Sequence, residues 1–379
     1  MAERKIAEVF PPGVFIKEEL EARGWSQVEL AEIIGRSPVE VNALVLGRRA
    51  VTPELAKDLG DAFGTGAEYW MDLETSYQLH RARDTDYAVA RRAKLYQVAP
   101  VREMVKRHWI EMSENVDILE HRIRRFLEVS SLDETIAFQH AARRGTQEIS
   151  STHIAWLCRS KHLAHAVHAE PFSTKSFKKC LSELRQLLSN AQDVRRVPRV
   201  LADAGIRFLV VENLPKTRID GVAFWLDRES PVIAVSLRFD RIDSFWFTLA
   251  HELGHISRRD GLRSPRDVTI DTDLVGENLL PEADESVSER EASRFAVEFL
   301  VKQSELDGFI SRVGPLYSRS RIGGFAGRIG VHPGIVVGQL QHRGEIGWAV
   351  HRPMLQKVRS TIIQSALTDG WGHVPPVLS

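Results

Sequence analysis

Apolar positions in the first 80 residues recur at helical spacing between regularly placed breaks. Residues 14–23 form an amphipathic run behind Pro11-Pro12-Gly13. Ser26-Gln27-Val28-Glu29 is a capping box that opens a short helix through Ile34, and Gly35 ends it. Ser37-Pro38-Val39-Glu40 is a second box with proline at the first helical position, and its helix closes at Gly47. Thr52-Pro53-Glu54-Leu55 starts a fourth helix, and residues 67–79 supply a fifth. Two short helices joined by a tight turn inside a five-helix unit read as helix-turn-helix, with residues 37–46 in the recognition position.

Helical periodicity continues through 88–95, 101–109 and 116–128. The basic pairs there, Arg91-Arg92, Lys106-Arg107 and Arg124-Arg125, are interleaved with Glu103, Glu111, Glu120 and Glu128. They read as solvated helical faces rather than a nucleic-acid surface, in a segment that spaces and orients the two ends of the chain. From Val197 the pattern changes. The runs IRFLVVE (206–212), GVAFWL (221–226) and PVIAVSL (231–237) are short, β-branched or aromatic, and separated by turn residues, so they predict strands.

The strands lead into residues 243–258, DSFWFTLAHELGHISR. At 100° per residue Phe245, Leu249 and Ile256 share one apolar stripe, with Glu252 beside it. Between Ser244 and Ile256 Glu252 alone carries a formal charge. A solvated helix would not be this apolar, and a buried carboxylate without a partner is costly.

The same stretch contains His251-Glu252-Leu253-Gly254-His255. Histidines four residues apart stand one helical turn apart, so both imidazoles can bind one Zn²⁺, with Glu252 one step round to take a proton from water. With 14 histidines in 379 residues the pattern should arise by chance in roughly 4 of 100 such chains, so it needs a third ligand to support it.

Residues 285–302, ESVSEREASRFAVEFLVK, predict a second helix that offers Glu289 and Glu291. Glu289 shares a face with Ala292, Ser293, Ala296 and Leu300, whereas Glu291 points with Arg290, Arg294 and Glu298 towards solvent. Glu289 is therefore the expected ligand. The competing reading is that Ser286-Val287-Ser288-Glu289 is a capping box in which Glu289 serves only its own helix.

WFTLAHELGHISRR followed by EREASRFAVEFLV resembles the ImmA/IrrE family of bacterial metallopeptidases, whose pattern is HExxH and then ExxANxFA. The resemblance implies a zincin-like peptidase domain with zinc on His251, His255 and Glu289 and with Glu252 as general base. Ser293 stands where the family has Asn, a position from which a side chain could orient a ligand histidine. The resemblance also implies a regulatory substrate such as a transcriptional repressor, or a toxin or antitoxin partner. By analogy with such peptidases, an extended substrate would add to an edge of the small sheet. RIGVHPGIVVGQLQHRG resembles the C-terminal part of longer members, and His332 and His342 are candidate oxyanion donors there, set against the plainer reading of surface or turn histidines.

The segment GVFIKEELEARGWSQVELAEIIGRSPVEVNALVLGRRAVTPELAKDLGDAFGTGAEYW resembles the HigA-type antitoxin branch of XRE regulators. The resemblance implies operator DNA as a partner, contacted through Arg36, Ser37, Asn42, Arg48 and Arg49. Yet residues 1–80 hold 8 Lys/Arg against 14 Asp/Glu, a net of −6, where duplex binding usually draws on clustered cations. A domain of this shape retained for protein binding, or for homodimer formation, is the competing reading. Together the resemblances cover roughly 70% of the chain and leave 80–195 without a match.

Composition adds limits. Lys plus Arg equals Asp plus Glu at 51 each, so no global charge points to nucleic acid or membrane. Cys158 and Cys180 make neither a disulfide framework nor a metal-binding spacing. No signal peptide and no apolar run of spanning length is present, which predicts a cytoplasmic protein. The expected fold is α+β and mostly helical: a five-helix helix-turn-helix domain (1–79), a helical connecting region (80–195) and a metallopeptidase domain with a small β-sheet (196–379). The expected function is zinc-dependent cleavage of a regulatory protein. Its main competitor is a DNA-binding antitoxin or regulator whose zinc domain senses a partner without cutting it. A purely structural zinc site fits less well, because three ligands leave a coordination position open.

Overall fold

The computed structural model describes residues 9–82, 88–134, 150–262, 270–272, 274 and 286–371. Most of the opening segment assessed for a signal peptide and Glu285, the expected start of the second site helix, lie outside the described residues. The chain divides into two compact units, residues 1–92 and 93–379.

In the first unit, α1 (Pro12–Arg23), α2 (Gln27–Ile33), α3 (Pro38–Val45), α4 (Pro53–Phe63) and α5 (Ala67–Arg81) follow the breaks in the sequence. Both capping boxes close reciprocally. Ser26 Oγ accepts the Glu29 N–H at 3.2 Å while Glu29 accepts the Ser26 N–H at 2.7 Å, and Ser37 and Glu40 repeat this at 3.2 and 3.1 Å. Thr52 caps α4 through the Leu55 N–H. Ile16, Leu30, Val41, Leu59 and Trp70 form the buried centre. The indole N–H of Trp70 is satisfied by Thr65 Oγ1 at 2.9 Å.

The helices α6 (Ala88–Val98), α7 (Val101–Lys106), α8 (Val116–Leu127), α9 (Ser151–Ala164), α10 (Thr174–Leu187) and α11 (Val197–Asp203) precede the sheet. They are more than spacers. Trp156 of α9 donates its indole N–H to Val211 O at 3.1 Å, and Phe177, Cys180 and Leu184 of α10 share a core with the strands. Arg107 departs from the expected solvated face: it is buried and donates to Glu212 O at 2.8 Å and Asn213 O at 2.5 Å, 3.5 Å from Asp369. Two backbone carbonyls and a buried carboxylate at the strand ends give its charge partners that no local pattern discloses.

β1 (Arg207–Val210), β2 (Ile219–Trp225) and β3 (Pro231–Val235) correspond to the three expected strands. Two short strands, β4 (Ile270–Thr272) and β5 (Leu367–Thr368), extend the sheet at its two edges. The order is β4-β2-β3-β1-β5, with β1 parallel to β3 and β5, and β2 antiparallel to β3 and β4. Segments of two or three residues carry too little alternation to be read from sequence.

On the sheet lies α12 (Ile242–Arg258), and α13 (Val287–Leu300) packs along it. Their approach depends on small residues: a Cβ on Gly254 would stand 3.0 Å from Ala292 Cα. α14 (Gln303–Val313), α15 (Arg319–Ile329), α16 (Pro333–His342) and α17 (Arg359–Ile362) complete the unit, and Val336, Val337 and Leu340 of α16 join the core around α12. Cys158 and Cys180 are free. Among the described residues no helix is long and apolar enough to cross a membrane.

Candidate metal centre

Of residues 242–256 in α12, all but Phe247 are buried. Phe245, Leu249 and Ile256 enter the core as the stripe requires, which turns His251, Glu252 and His255 inward with them. The two imidazoles meet with Nε2 atoms 3.1 Å apart. Glu289 Oε2, from α13, lies 3.1 Å from His251 Nε2 and 3.5 Å from His255 Nε2. Ser286 does accept the Glu289 N–H at 3.2 Å, but the Glu289 carboxylate turns to the histidines. Glu291 instead pairs with Arg258.

A fourth donor was not foreseen. Asp271 on β4 brings Oδ2 to 3.6 Å from His251 Nε2 and 3.8 Å from His255 Nε2. Ligand atoms of His251, His255, Asp271 and Glu289 all lie within 4.8 Å of one another. Its only sequence signal is the alternation in Val268-Thr269-Ile270-Asp271-Thr272, too short to stand alone.

The donor set fits a dication. Glu289 Oε1, Asp271 Oδ2 and both Glu252 oxygens are buried without a hydrogen-bond partner. Burying three carboxylates beside two imidazoles is costly unless positive charge sits among them, and imidazole with carboxylate is a zinc-type set. Zn²⁺ would be held by these histidines and carboxylates, with Glu252 beside rather than on it.

The metal-free titration reflects the same crowding. Burial pushes Glu252 well above the usual carboxylate range, and the charge of Glu289 adds to it. Asp271 is pushed the same way by burial and then by Glu252 and Glu289. Burial would raise Glu289 too, but hydrogen bonds from both imidazoles hold it well below its ordinary value. Burial lowers the fully enclosed His251. In His255 the nearby carboxylates of Glu289, Asp271 and Asp260 outweigh burial and push the imidazole up to about 9.

Outer contacts orient both rings. Ser293 Oγ lies 3.3 Å from His251 Nδ1, so serine reaches the ring from the position where the resemblance leads one to expect Asn. Asp260 Oδ2 lies 3.0 Å from His255 Nδ1 and accepts from Ser288 Oγ at 2.7 Å. Arg259, with φ of 59°, reverses the chain at the end of α12 and returns Asp260 to the ring. Nothing in the local pattern marks Asp260, because the reversal falls on a non-glycine residue.

β2 crosses the helix at Glu252. A Cβ on Gly221 would lie 2.3 Å from Glu252 Oε1 and 2.9 Å from Thr248 Cγ2.

The two remaining histidines are held differently. His332 caps α16, its Nδ1 accepting the Gly334 N–H at 3.0 Å. His342 packs its ring 6.0 Å from that of Phe247, which lies 6.3 Å from the His251 ring. In the first unit Ser37 is engaged as the cap of α3, Arg36 pairs with Asp58 at 3.0 Å, and Arg49 with Glu40 at 2.5 Å. Glu40 is thus neutralised within its own unit. Asn42 lies within α3, where its carbonyl accepts the Leu46 N–H, and Arg48 follows the helix end.

Two histidines and an acid from the next helix, around a buried glutamate, define a zinc-peptidase domain, here following a helix-turn-helix domain. Residues 203–313 match the peptidase family described as IrrE N-terminal-like domain, and residues 16–70 match the family described as Helix-turn-helix. The chain belongs, through its N-terminal unit, to the helix-turn-helix family, with the IrrE-like peptidase domain fused behind it. It is 31% identical over 81 residues to the Uncharacterized HTH-type transcriptional regulator YddM of Escherichia coli (strain K12), covering 21% of this chain and 86% of that one. It is 32% identical over 79 residues to Virulence-associated protein I of Dichelobacter nodosus, covering 21% and 73%. Among solved structures, the Pseudomonas aeruginosa antitoxin HigA with higBA promoter is 31% identical, covering 22% of this chain and 86% of that chain, with a TM-score of 0.20.

Proposed function

We propose that this chain is a zinc endopeptidase that cuts a regulatory protein in the cytoplasm, with its helix-turn-helix unit supplying target recognition. In this reading residues 1–79 carry recognition, 196–379 carry the chemistry, and 80–195 connect them. The observation that carries it is Glu252, fully enclosed beside the imidazoles with both carboxylate oxygens unpartnered. A site built only to bind metal needs His251, His255 and Glu289 but has no use for a buried base. When bound, zinc supplies Lewis acidity, polarising the scissile carbonyl and acidifying water. Glu252 accepts the proton of the attacking water and returns it to the leaving amine.

The test pairs wild type with Glu252→Gln. Proteins encoded beside this gene serve as candidate substrates, with cut sites read by mass spectrometry and zinc content measured in parallel. The variant should keep its zinc and lose cleavage; retained cleavage would overturn the assignment.

A second reading is a DNA-binding regulator whose zinc domain senses a partner without cutting it. It is favoured by the N-terminal likeness to an HTH-type transcriptional regulator. Arg36, Ser37, Asn42, Arg48 and Arg49 are the candidate contacts, presented by a homodimer if the operator is symmetric. A gel shift with the DNA upstream of the gene should weaken in the Arg48→Ala, Arg49→Ala double variant. Absence of any shift at low salt would remove this role.

A further inference from the structure

The metal centre has one protein donor more than hydrolysis requires. Catalytic zinc takes three protein ligands and keeps a position open, whereas four close the site. Asp271 is the surplus donor: it is 2% exposed, its Oδ2 faces both imidazoles without a donor to hold it, and its carboxyl group lies against that of Glu252.

The strand that carries it is equally placed. β4 lies antiparallel on β2, with Asp271 opposite Gly221, the residue that presses on Glu252. Extended peptides bind by adding a strand to a sheet edge, and the edge beside the general base is where a scissile peptide has to lie. In this structure the chain's own residues 270–272 already run along it. The pairing is short and includes a register shift between Ile219 and Gly221. Its far end is fastened by Asp220, whose carboxylate accepts the Leu274 N–H at 2.7 Å and is braced by Arg238 at 2.9 and 3.1 Å.

We infer that β4 is a resident stand-in for the substrate. Ile270-Asp271-Thr272 occupies the β2 edge, and the Asp271 carboxylate fills the coordination position that catalysis needs. The partner for this surface is an extended segment of another protein, long enough to pair along all seven residues of β2 and so to displace a three-residue strand. Docking is then strand exchange, and the centre opens only when a partner has taken the edge. This rests on the zinc-peptidase reading above.

The test uses the full-length chain loaded with Co²⁺, whose visible spectrum reports its ligands, and azide as a small probe that needs an open position. Wild type should resist azide, whereas Asp271→Ala and the similarly shaped Asp271→Asn should bind it about tenfold more tightly or better, since the closed form lowers apparent affinity by its population. Circular dichroism establishes that the variants are folded, and Asp271→Asn serves if Asp271→Ala is not. Equal azide affinity in wild type and a folded variant sinks the stand-in and leaves the peptidase reading intact. Cobalt binding that survives His251→Ala unchanged sinks the peptidase reading itself. Faster basal cleavage of an unstructured peptide by the Asp271 variants supports the inference.

Discussion

Gly221 and Glu252 are a fitted pair: a Cβ on the glycine would lie 2.3 Å from the carboxylate oxygen of the glutamate. The backbone of β2 is therefore the wall against which the Glu252 carboxylate, the proposed general base, rests. Gly221→Ala should push the carboxylate aside while leaving the metal ligands in place. Hydrolysis should fall by roughly 10²-fold or more, the scale of a lost general base. Zinc content should be unchanged, and kinetics with metal analysis on one preparation check both halves.

The rings of His251 and His255 are steered by Ser293 and Asp260. Removing such a contact typically costs about 10–100-fold in metal affinity. Asp260→Ala should weaken zinc more than Ser293→Ala, because it deletes a charged acceptor held by Ser288 as well as by the ring. Ser293→Asn should retain affinity. Competition with a chromogenic chelator ranks the three.

Stripping zinc should destabilise the second unit and make it sensitive to alkali. In the metal-free chain His255 is pushed up to about 9. Its folded value lies above the unfolded one, so the contribution is complete below about pH 6.5 and is lost as pH rises towards 9. Denaturation of the metal-free chain should therefore occur at lower temperature at pH 9 than at pH 7. Zinc displaces that proton, so loading at pH 7.5 should release protons, measurable as a buffer-dependent binding heat.

The capping carboxylates of Glu29 and Glu40 have the opposite sign. Hydrogen bonds from the Ser26 and Ser37 backbones hold each below its ordinary value, and Arg49 assists for Glu40. Their stabilisation is present above the unfolded carboxylate value and disappears as pH falls through the folded one. Amide protection in α2 and α3, taken relative to the intrinsic exchange rate at each pH, should be weaker at pH 3 than at pH 6, and the Glu29→Gln, Glu40→Gln double variant should lose most of that difference.

What was legible in the chain was local. The two capping boxes, three of the strands and the apolar helix 243–258 could be read because a cap, an alternation or a helical stripe is completed within a few residues. The histidine pair was legible for the same reason, since four residues make one turn. Glu289 was half-legible: the helical wheel gave it a face, but the same four residues also spelled a capping box, and only the packing of α13 on α12 turned its carboxylate to the imidazoles.

Asp271, Asp260 and the burial of Arg107 belong to the tertiary structure; Ser293 was marked by the family resemblance as a position that could orient a ligand histidine, but which ring it meets was decided by the fold. Asp271 arrives on a three-residue strand whose pairing is set by β2, and Asp260 is returned by a left-handed turn at Arg259. Ser293 reaches its ring because Gly254 and Ala292 let two helices approach closely. Sequence alone determined the elements and the motif, because backbone periodicity encodes them nearby. Which carboxylates share the centre, and which strand lies along its edge, depended on contacts between segments far apart in the chain, which no local pattern contains.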